Sequence, residues 1–329
     1  MTAAPTRDQI KQKALALGFH AVGIAAAEGE DAANSAALDR WLAQEYHADM
    51  AWMDNPKRRD IHRVMPDVRS VICVALNYYT GHQRPDGSQY AKIARYGWGR
   101  EYHRVMTTRL KALSAWLAAH DTPEPIQARH YTDTGPVQDK YWAQRGGLGW
   151  VAKNSNLITR EHGSWVFLGE VLTNMVLAPD RPHTAHCGTC TRCIDACPTQ
   201  AIDPPFMVDA NRCIAYHTIE NRAETLPDGI GDRLSGWVAG CDICQDVCPW
   251  NQRFAQPTDV PDFQPYPTNI APTLSELASL TPEEYEARFP ASALRRIKLP
   301  MLRRNAAASL AHATPDSAPH PDNDCAKPC

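Results

Sequence analysis

Eight of the eleven cysteines fall between Cys187 and Cys248, and thiols crowded in this way bind metal rather than one another. The first run is Cys187-x2-Cys190-x2-Cys193-x3-Cys197-Pro198. In this spacing three thiolates on one tight loop reach three irons of a cubane, while the fourth leaves toward a neighbouring cluster. The second run, Cys241-x2-Cys244-x3-Cys248-Pro249, is one ligand short, and Cys213 upstream supplies it. Exchange of the fourth ligand then groups Cys187, Cys190 and Cys193 with Cys248, and Cys213, Cys241 and Cys244 with Cys197. The expectation is two four-iron four-sulfur clusters. Two zinc sites would use the same number of thiolates, but the Cys-Pro ending, present twice, belongs to the iron–sulfur pattern. A disulfide framework does not fit, because the first 186 residues hold only Cys73. Thiols kept for metal imply a reducing compartment, and a cytoplasmic location is expected.

A pair of clusters moves single electrons and needs a terminus. No Gly-x-Gly-x-x-Gly follows a strand, Gly97-Trp98-Gly99 lacks the third glycine, and there is no phosphate loop of the Gly-x4-Gly-Lys type. Asp60-Ile61-His62-Arg63-Val64-Met65 begins like the Asp-x-His-x-x-Gly signature of base-off cobalamin proteins, but Met65 replaces the glycine, so His62 reads as a polar surface residue. Asp133 stands after an extended piece and before a helix. It can cap that helix, which favours the carboxylate, or act as a general acid, which requires burial to raise its pKa; the residues leave both open. A net charge of -3 offers no global attraction to nucleic acid. Two local basic groups could supply it: Arg295, Arg296, Lys298, Arg303 and Arg304 near the C-terminus, and Lys57, Arg58, Arg59 and Arg63. Solvated charged faces are the alternative.

These residues need a scaffold. Helical spacing marks Asp8–Leu17, Leu38–Tyr46, Val105–Ala119 and Pro136–Arg145, with Met106, Leu110, Leu113 and Leu117 on one face of the third. Strands are expected at Ala21–Ile24 and Ser70–Tyr78, and Leu157–Thr159 with Trp165–Leu172 suggests a hairpin. Alternating helices and strands predict an α/β layer with a mixed sheet over residues 1–181. A cysteine-rich ferredoxin-like unit follows over 182–255. A proline-rich wrap with short helices occupies 256–313, and a tail over 314–329 reads as disordered. No apolar run reaches membrane length.

Tyr131-Thr132-Asp133-Thr134-Gly135-Pro136-Val137, then Arg145-Gly146-Gly147-Leu148-Gly149-Trp150-Val151-Ala152-Lys153-Asn154, then the two cysteine runs, together resemble the epoxyqueuosine reductase family, from about Leu15 to Asn305. The resemblance implies an N-terminal cobalamin-binding domain related to that of reductive dehalogenases. It also implies reduction of epoxyqueuosine to queuosine on the anticodon loop of transfer RNA, with an external electron donor and a monomeric enzyme. It makes Asp133 the general acid and places Arg59, Tyr96, Gly97, Trp98, Asp133, Lys153, Asn154, Asn156, Ile214 and Ala215 at the corrin. Ala215 and His217 depart from the Ser and Leu common in relatives. It favours Arg295, Arg296, Lys298, Arg303 and Arg304 as the transfer RNA contact. A reductive dehalogenase and a plain ferredoxin-type carrier are the rivals; a carrier would need no corrin.

Overall fold

The most apolar stretch of the N-terminal half, Ser70–Asn77, is buried at all eight positions and forms the central strand of the computed structural model, which describes residues 4–27 and 31–313. The order of elements is α1 (Arg7–Ala16), β1 (Ala21–Ala26), α2 (Ala32–Ala43), β2 (Ser70–Asn77), β3 (Lys92–Ile93), α3 (Tyr102–Ala118), β4 (Ala128–Tyr131), α4 (Asp139–Arg145), β5 (Trp150–Val151), β6 (Leu157–Ile158) and β7 (Val166–Thr173). Four of these strands make one sheet in the order β1-β2-β7-β4, each pair antiparallel. The parallel pairing of a mixed α/β protein lies outside this sheet, between β3 and β8 (Trp237–Ala239).

Both faces of the sheet are covered, which is why β2 reads as a continuous apolar run. On one face pack α1 and α3, whose Met106, Leu110, Leu113 and Leu117 are fully buried. On the other lie α4 and the turns around Ile61–Val68. The segment after α4 is glycine-rich for steric reasons. Gly147 has φ +77, and a Cβ on Gly149 would stand 2.0 Å from the Ile158 carbonyl oxygen. The expected hairpin between 157 and 172 is reduced to a single antiparallel bridge of Thr159 with Gly163. β6 pairs with β5 instead, and β7 leaves to lie between β2 and β4. The chain is drawn off at Ser164, whose N–H donates to Asn251 Oδ1 at 2.7 Å.

Beyond β7 come α5 (Arg192–Asp195), α6 (Ile214–Ile219), β8, α7 (Ile243–Asp246) and α8 (Pro249–Phe254), all short and set among the cysteines. The proline-rich stretch then runs back over the body: Thr258 N–H bonds the Tyr79 carbonyl and Tyr266 N–H the Trp98 carbonyl. It leads through α9 (Pro267–Ile270), α10 (Leu274–Ser279) and α11 (Pro282–Arg288) to α12 (Leu299–Ala311). Asn305 of α12 donates to the carbonyls of Thr218 and Val238, fastening the last helix to α6 and β8. Arg84 ties the halves together from within: its guanidinium is paired with Asp242 and Asp246 and lies over the rings of Trp98 and Trp237. The tail from 314, with Cys325 and Cys329, lies outside the described residues.

Candidate active site and metal centres

Cys193 has Cys248, Cys187 and Cys190 as its charged neighbours. Cys213 has Cys197, and Cys241 has Cys244 and Cys213. The chain thus brings the eight thiols into the two sets of four that ligand exchange requires, none joined in a disulfide. Cys244 also faces Cys193, so the two sets adjoin. Among the described residues no three such side chains converge where one ion could be held. Burial pushes the Cys193 thiol up to about 11 and raises Cys213, Cys241 and Cys244 as well. Binding metal as thiolates therefore releases protons.

α6 starts directly after Cys213, and its last turn forms part of the wall of a cavity of about 790 Å³. Met50, Trp52 and Met53 form an apolar side, Tyr96 and Ile219 the side toward the cysteines, and Arg295 and Arg296 the rim. A second lobe of about 460 Å³ shares Met53, Arg58, Tyr102, Asp133, Asp139 and Phe167 with the first and reaches Lys140. The combined space is concave, with an apolar part at Met50, Trp52, Met53, Ile219 and Phe167 and a charged part at Arg58, Glu101, His103, Asp133, Asp139 and Glu220; concave sites with converging polar groups are where ligands bind.

Asp133 is on the floor. It caps no helix: α4 begins six residues later, its N-cap Gln138 makes no side-chain bond, and Asp133 has φ +57. Its Oδ2 instead accepts from the Tyr102 hydroxyl at 2.7 Å and meets His103 Nε2 at 3.2 Å. On the far side of the imidazole, Glu101 Oε1 lies 2.5 Å from Nδ1. The Tyr102 ring is stacked between His103 and Phe167 at 4.0 and 4.1 Å. The Asp133 side chain is 65% exposed to the cleft although protein surrounds the cleft closely. The hydrogen bond from His103, aided by Tyr102, outweighs burial and holds its carboxyl down at about 2. Burial works against a charged His103, yet its bonds to Asp133 and Glu101 prevail and push its pKa up to about 9. At neutral pH the proton of this array therefore rests on His103, between two carboxylates, and not on Asp133. Glu101, Tyr102 and His103 were not singled out from sequence; they stand thirty positions from Asp133 at the start of α3, and only folding joins them.

Other expected contacts take varied positions. Tyr96 lines the cavity. Gly97 is buried against Leu294. Trp98 is 1% exposed with its Nε1–H bonded to the Ile93 carbonyl, so its ring does not reach the cleft. Arg59 is held by Asp39 and Asp54, away from the cavity. Lys153 Nζ donates to the carbonyls of Gly188 and Cys190 at 2.7 and 2.9 Å, bracing the first cysteine loop. Asn154 donates to the Cys244 carbonyl, and Asn156 accepts from Lys140, whose side chain lines the second lobe. Ile214 is buried at the start of α6, with Ala215 beside it. His62 has backbone carbonyls at both ring nitrogens. In the basic group, Arg295 and Arg296 reach the rim, paired with Glu286 and Glu220, and Lys298 is exposed. Arg303 donates to the Leu280 carbonyl, and Arg304 to the carbonyls of His217, Asn221 and Ala223. The Arg304 guanidinium is therefore engaged by its own chain and does not join the rim.

Residues 58–134 match the family model described as epoxyqueuosine reductase QueG, DUF1730, and residues 186–251 match the model of a 4Fe-4S double cluster binding domain. The chain is 62% identical over 283 residues to the epoxyqueuosine reductase of Synechocystis sp., covering 86% of this chain and 96% of that one. It is 51% identical over 310 residues to that of Gloeobacter violaceus, covering 93% and 96%. A crystal structure of epoxyqueuosine reductase with a tRNA-Tyr epoxyqueuosine-modified stem loop superposes with a TM-score of 0.82 at 30% identity, over 93% of this chain and 81% of that one. The enzyme from Bacillus subtilis, solved with its catalytic loop swung out of the active site, superposes at 0.81 and 29% identity over the same shares. Identity at this level over nearly the whole length, with the double-cluster match over the cysteine runs, places the chain in the epoxyqueuosine reductase family.

Proposed function

We propose that this protein reduces epoxyqueuosine to queuosine at the wobble position of transfer RNA in the cytoplasm, with cobalamin in the cleft. The observation that carries the reading is the cleft itself, which sets a charged proton array on its floor and the helix leaving ligand Cys213 on its wall. Among the described residues no helix is long and apolar enough to cross a membrane.

Opening an epoxide and expelling its oxygen as water consumes two electrons and two protons. Bound cobalamin supplies a low-potential metal able to deliver electrons to the epoxide carbon, and the clusters supply them singly. The side chains do the remainder. His103, protonated at neutral pH, holds a proton against Asp133 Oδ2. The developing alkoxide, placed beside Asp133, takes that proton through the carboxylate, and His103 is left as neutral imidazole; solvent reprotonates the imidazole, and the same route delivers the second proton as the oxygen leaves as water. Glu101 keeps Nδ1 bonded throughout, so the ring does not turn. The Tyr102 hydroxyl fixes the carboxylate in line. Met50, Trp52 and Met53 offer the apolar side against which a nucleobase can rest. Arg295 and Arg296 are the rim cations, and RNA phosphates would displace Glu286 and Glu220 from them on binding. An external donor would approach the loop of Cys187, Cys190 and Cys193, whose neighbouring residues are exposed.

The test is conversion of epoxyqueuosine-containing transfer RNA by protein loaded anaerobically with iron, sulfide and cobalamin, read as loss of one oxygen by mass spectrometry. Protein carrying full iron and bound corrin that leaves the nucleoside unchanged would overturn the reading. Full iron with no corrin uptake would make the chain an electron carrier.

A further inference from the structure

Glu170 lies in the middle of the sheet on β7 at 0% exposure, with Cys73 of β2 and Tyr131 of β4 as its cross-strand partners. Neither carboxyl oxygen receives a hydrogen from a protein donor. The acidic group that bears on it is the carboxyl of Asp139, the first residue of α4, which packs on β7 and lines the cleft. Two carboxylates cannot share a buried contact while both are charged. With one proton between them the repulsion becomes a short, strong O–H···O⁻ bond. Asp139 Oδ1 also accepts the backbone N–H of Asp133 at 3.3 Å. Asp133 is a non-glycine residue in the left-handed region, a conformation that persists only where surrounding contacts impose it.

We propose that Glu170 and Asp139 share one proton and act together as a latch, holding the 132–138 segment so that the Asp133 carboxylate meets Tyr102 and His103. They are positioning residues, and the proposal rests on the reading of the cleft as the active site. Burial raises the Glu170 pKa well above the ordinary carboxyl range, and Asp139 adds to the rise; burial raises Asp139 as well. Cys73 and Tyr131 face the pair from the adjoining strands, Asp133 from the segment itself and Lys140 from α4. Arg58 faces it from the turn below and bonds the Val137 and Gly135 carbonyls at 3.3 and 3.4 Å, steadying the same segment from its other side. A raised carboxyl pKa means that the folded state keeps a proton the unfolded chain has lost. The latch is therefore intact below that value and is lost as pH rises through it. Asp139 is then repelled from Glu170, and the Asp133 N–H loses its fixed acceptor.

Hydrogen–deuterium exchange of the 132–138 segment, measured on the full chain with its clusters from about pH 6 to about pH 10 and corrected for intrinsic rates, reads the latch directly. Wild type should lose about tenfold in protection across an alkaline transition, one hydrogen bond's worth. In Glu170→Gln an amide N–H replaces the acid proton and cannot titrate, so the transition should vanish and protection remain. In Glu170→Leu no donor is left, and the segment should exchange fast at every pH. A wild type without the transition, or a Gln variant that opens like the Leu variant, would overturn the proposal. Because exchange needs no substrate, a latch that behaves as described in protein that leaves epoxyqueuosine untouched would refute the assigned reaction and not the latch.

Discussion

Replacing Glu101 by Gln moves the proton store by a calculable amount. The rise of His103 from 6.5 to about 9 corresponds to about 3.4 kcal/mol in favour of the imidazolium. Two carboxylates hold it there, Glu101 at 2.5 Å and Asp133 at 3.2 Å, with the imidazole itself 29% exposed and Glu101 18%. Assigning half of the effect to Glu101, loss of its charge lowers the His103 pKa to about 8 and removes about 1.7 kcal/mol. Glu101 now caps the backbone N–H groups of His103 and Arg104 through Oε1 and Oε2, at 3.0 Å each; the single carbonyl oxygen of Gln keeps one of these two bonds, so the variant also loses part of the cap. A raised histidine pKa stabilises the fold fully below its unfolded value and ceases to do so as pH rises through the folded value. Wild type should therefore show a single-turnover rate that falls above about pH 9, with a parallel drop in the urea midpoint, and the variant should show both about one pH unit lower. A wild-type rate that climbs through pH 9, or a limb that Glu101→Gln leaves in place, would refute the assignment of the proton to His103.

Asp133→Asn should retain full iron content while turnover falls by about 10² to 10⁴, because the relay loses its acceptor; anaerobic iron analysis and product mass spectrometry check it. Arg295→Ala with Arg296→Ala should lower the salt slope of transfer RNA binding by between about 1 and about 2 in a filter or anisotropy titration. Arg304→Ala should leave that slope alone and instead cost about 1–3 kcal/mol in urea unfolding, since it orphans the carbonyls at the end of α6. Arg84→Ala should cost about 3–5 kcal/mol by the same measurement, because Asp242, 2% exposed, is left as a buried unpaired carboxylate.

Different parts of the molecule were legible in the sequence to different degrees, for physical reasons. The cysteine sets follow from spacing alone, since ligand geometry fixes the intervals. The faces of α3 and β2 follow from apolar periodicity, which burial enforces. Asp133 could be found, but its state could not. Position before a helix suggested a cap, while the structure turns its backbone left-handed and aims it at an imidazole that takes the proton from it. Nothing in the local pattern around Tyr102 and His103 marks them, because their partner Asp133 lies thirty positions on, beyond the end of β4. The reduced hairpin at 157–172 has a similar origin, as Asn251, some ninety positions on, redirects the chain at Ser164. Arg304 looked available for RNA because its use is spent on carbonyls that only tertiary packing brings near.

The crossing of ligands between the two cysteine runs bears on how the protein is assembled. Cys197 leaves the first run for the set of Cys213, and Cys248 leaves the second run for the set of Cys187. Neither site is completed by a contiguous piece of chain, so neither can mature while the other half is unfolded. On the crossed ligand sets proposed here, iron loading is expected to be an all-or-none event over some sixty residues, coupled to the placement of α6, which begins directly after Cys213 and walls the cleft. A cell short of iron would hold a mixture of finished molecules and empty ones, with few half-loaded forms able to accept an electron and strand it.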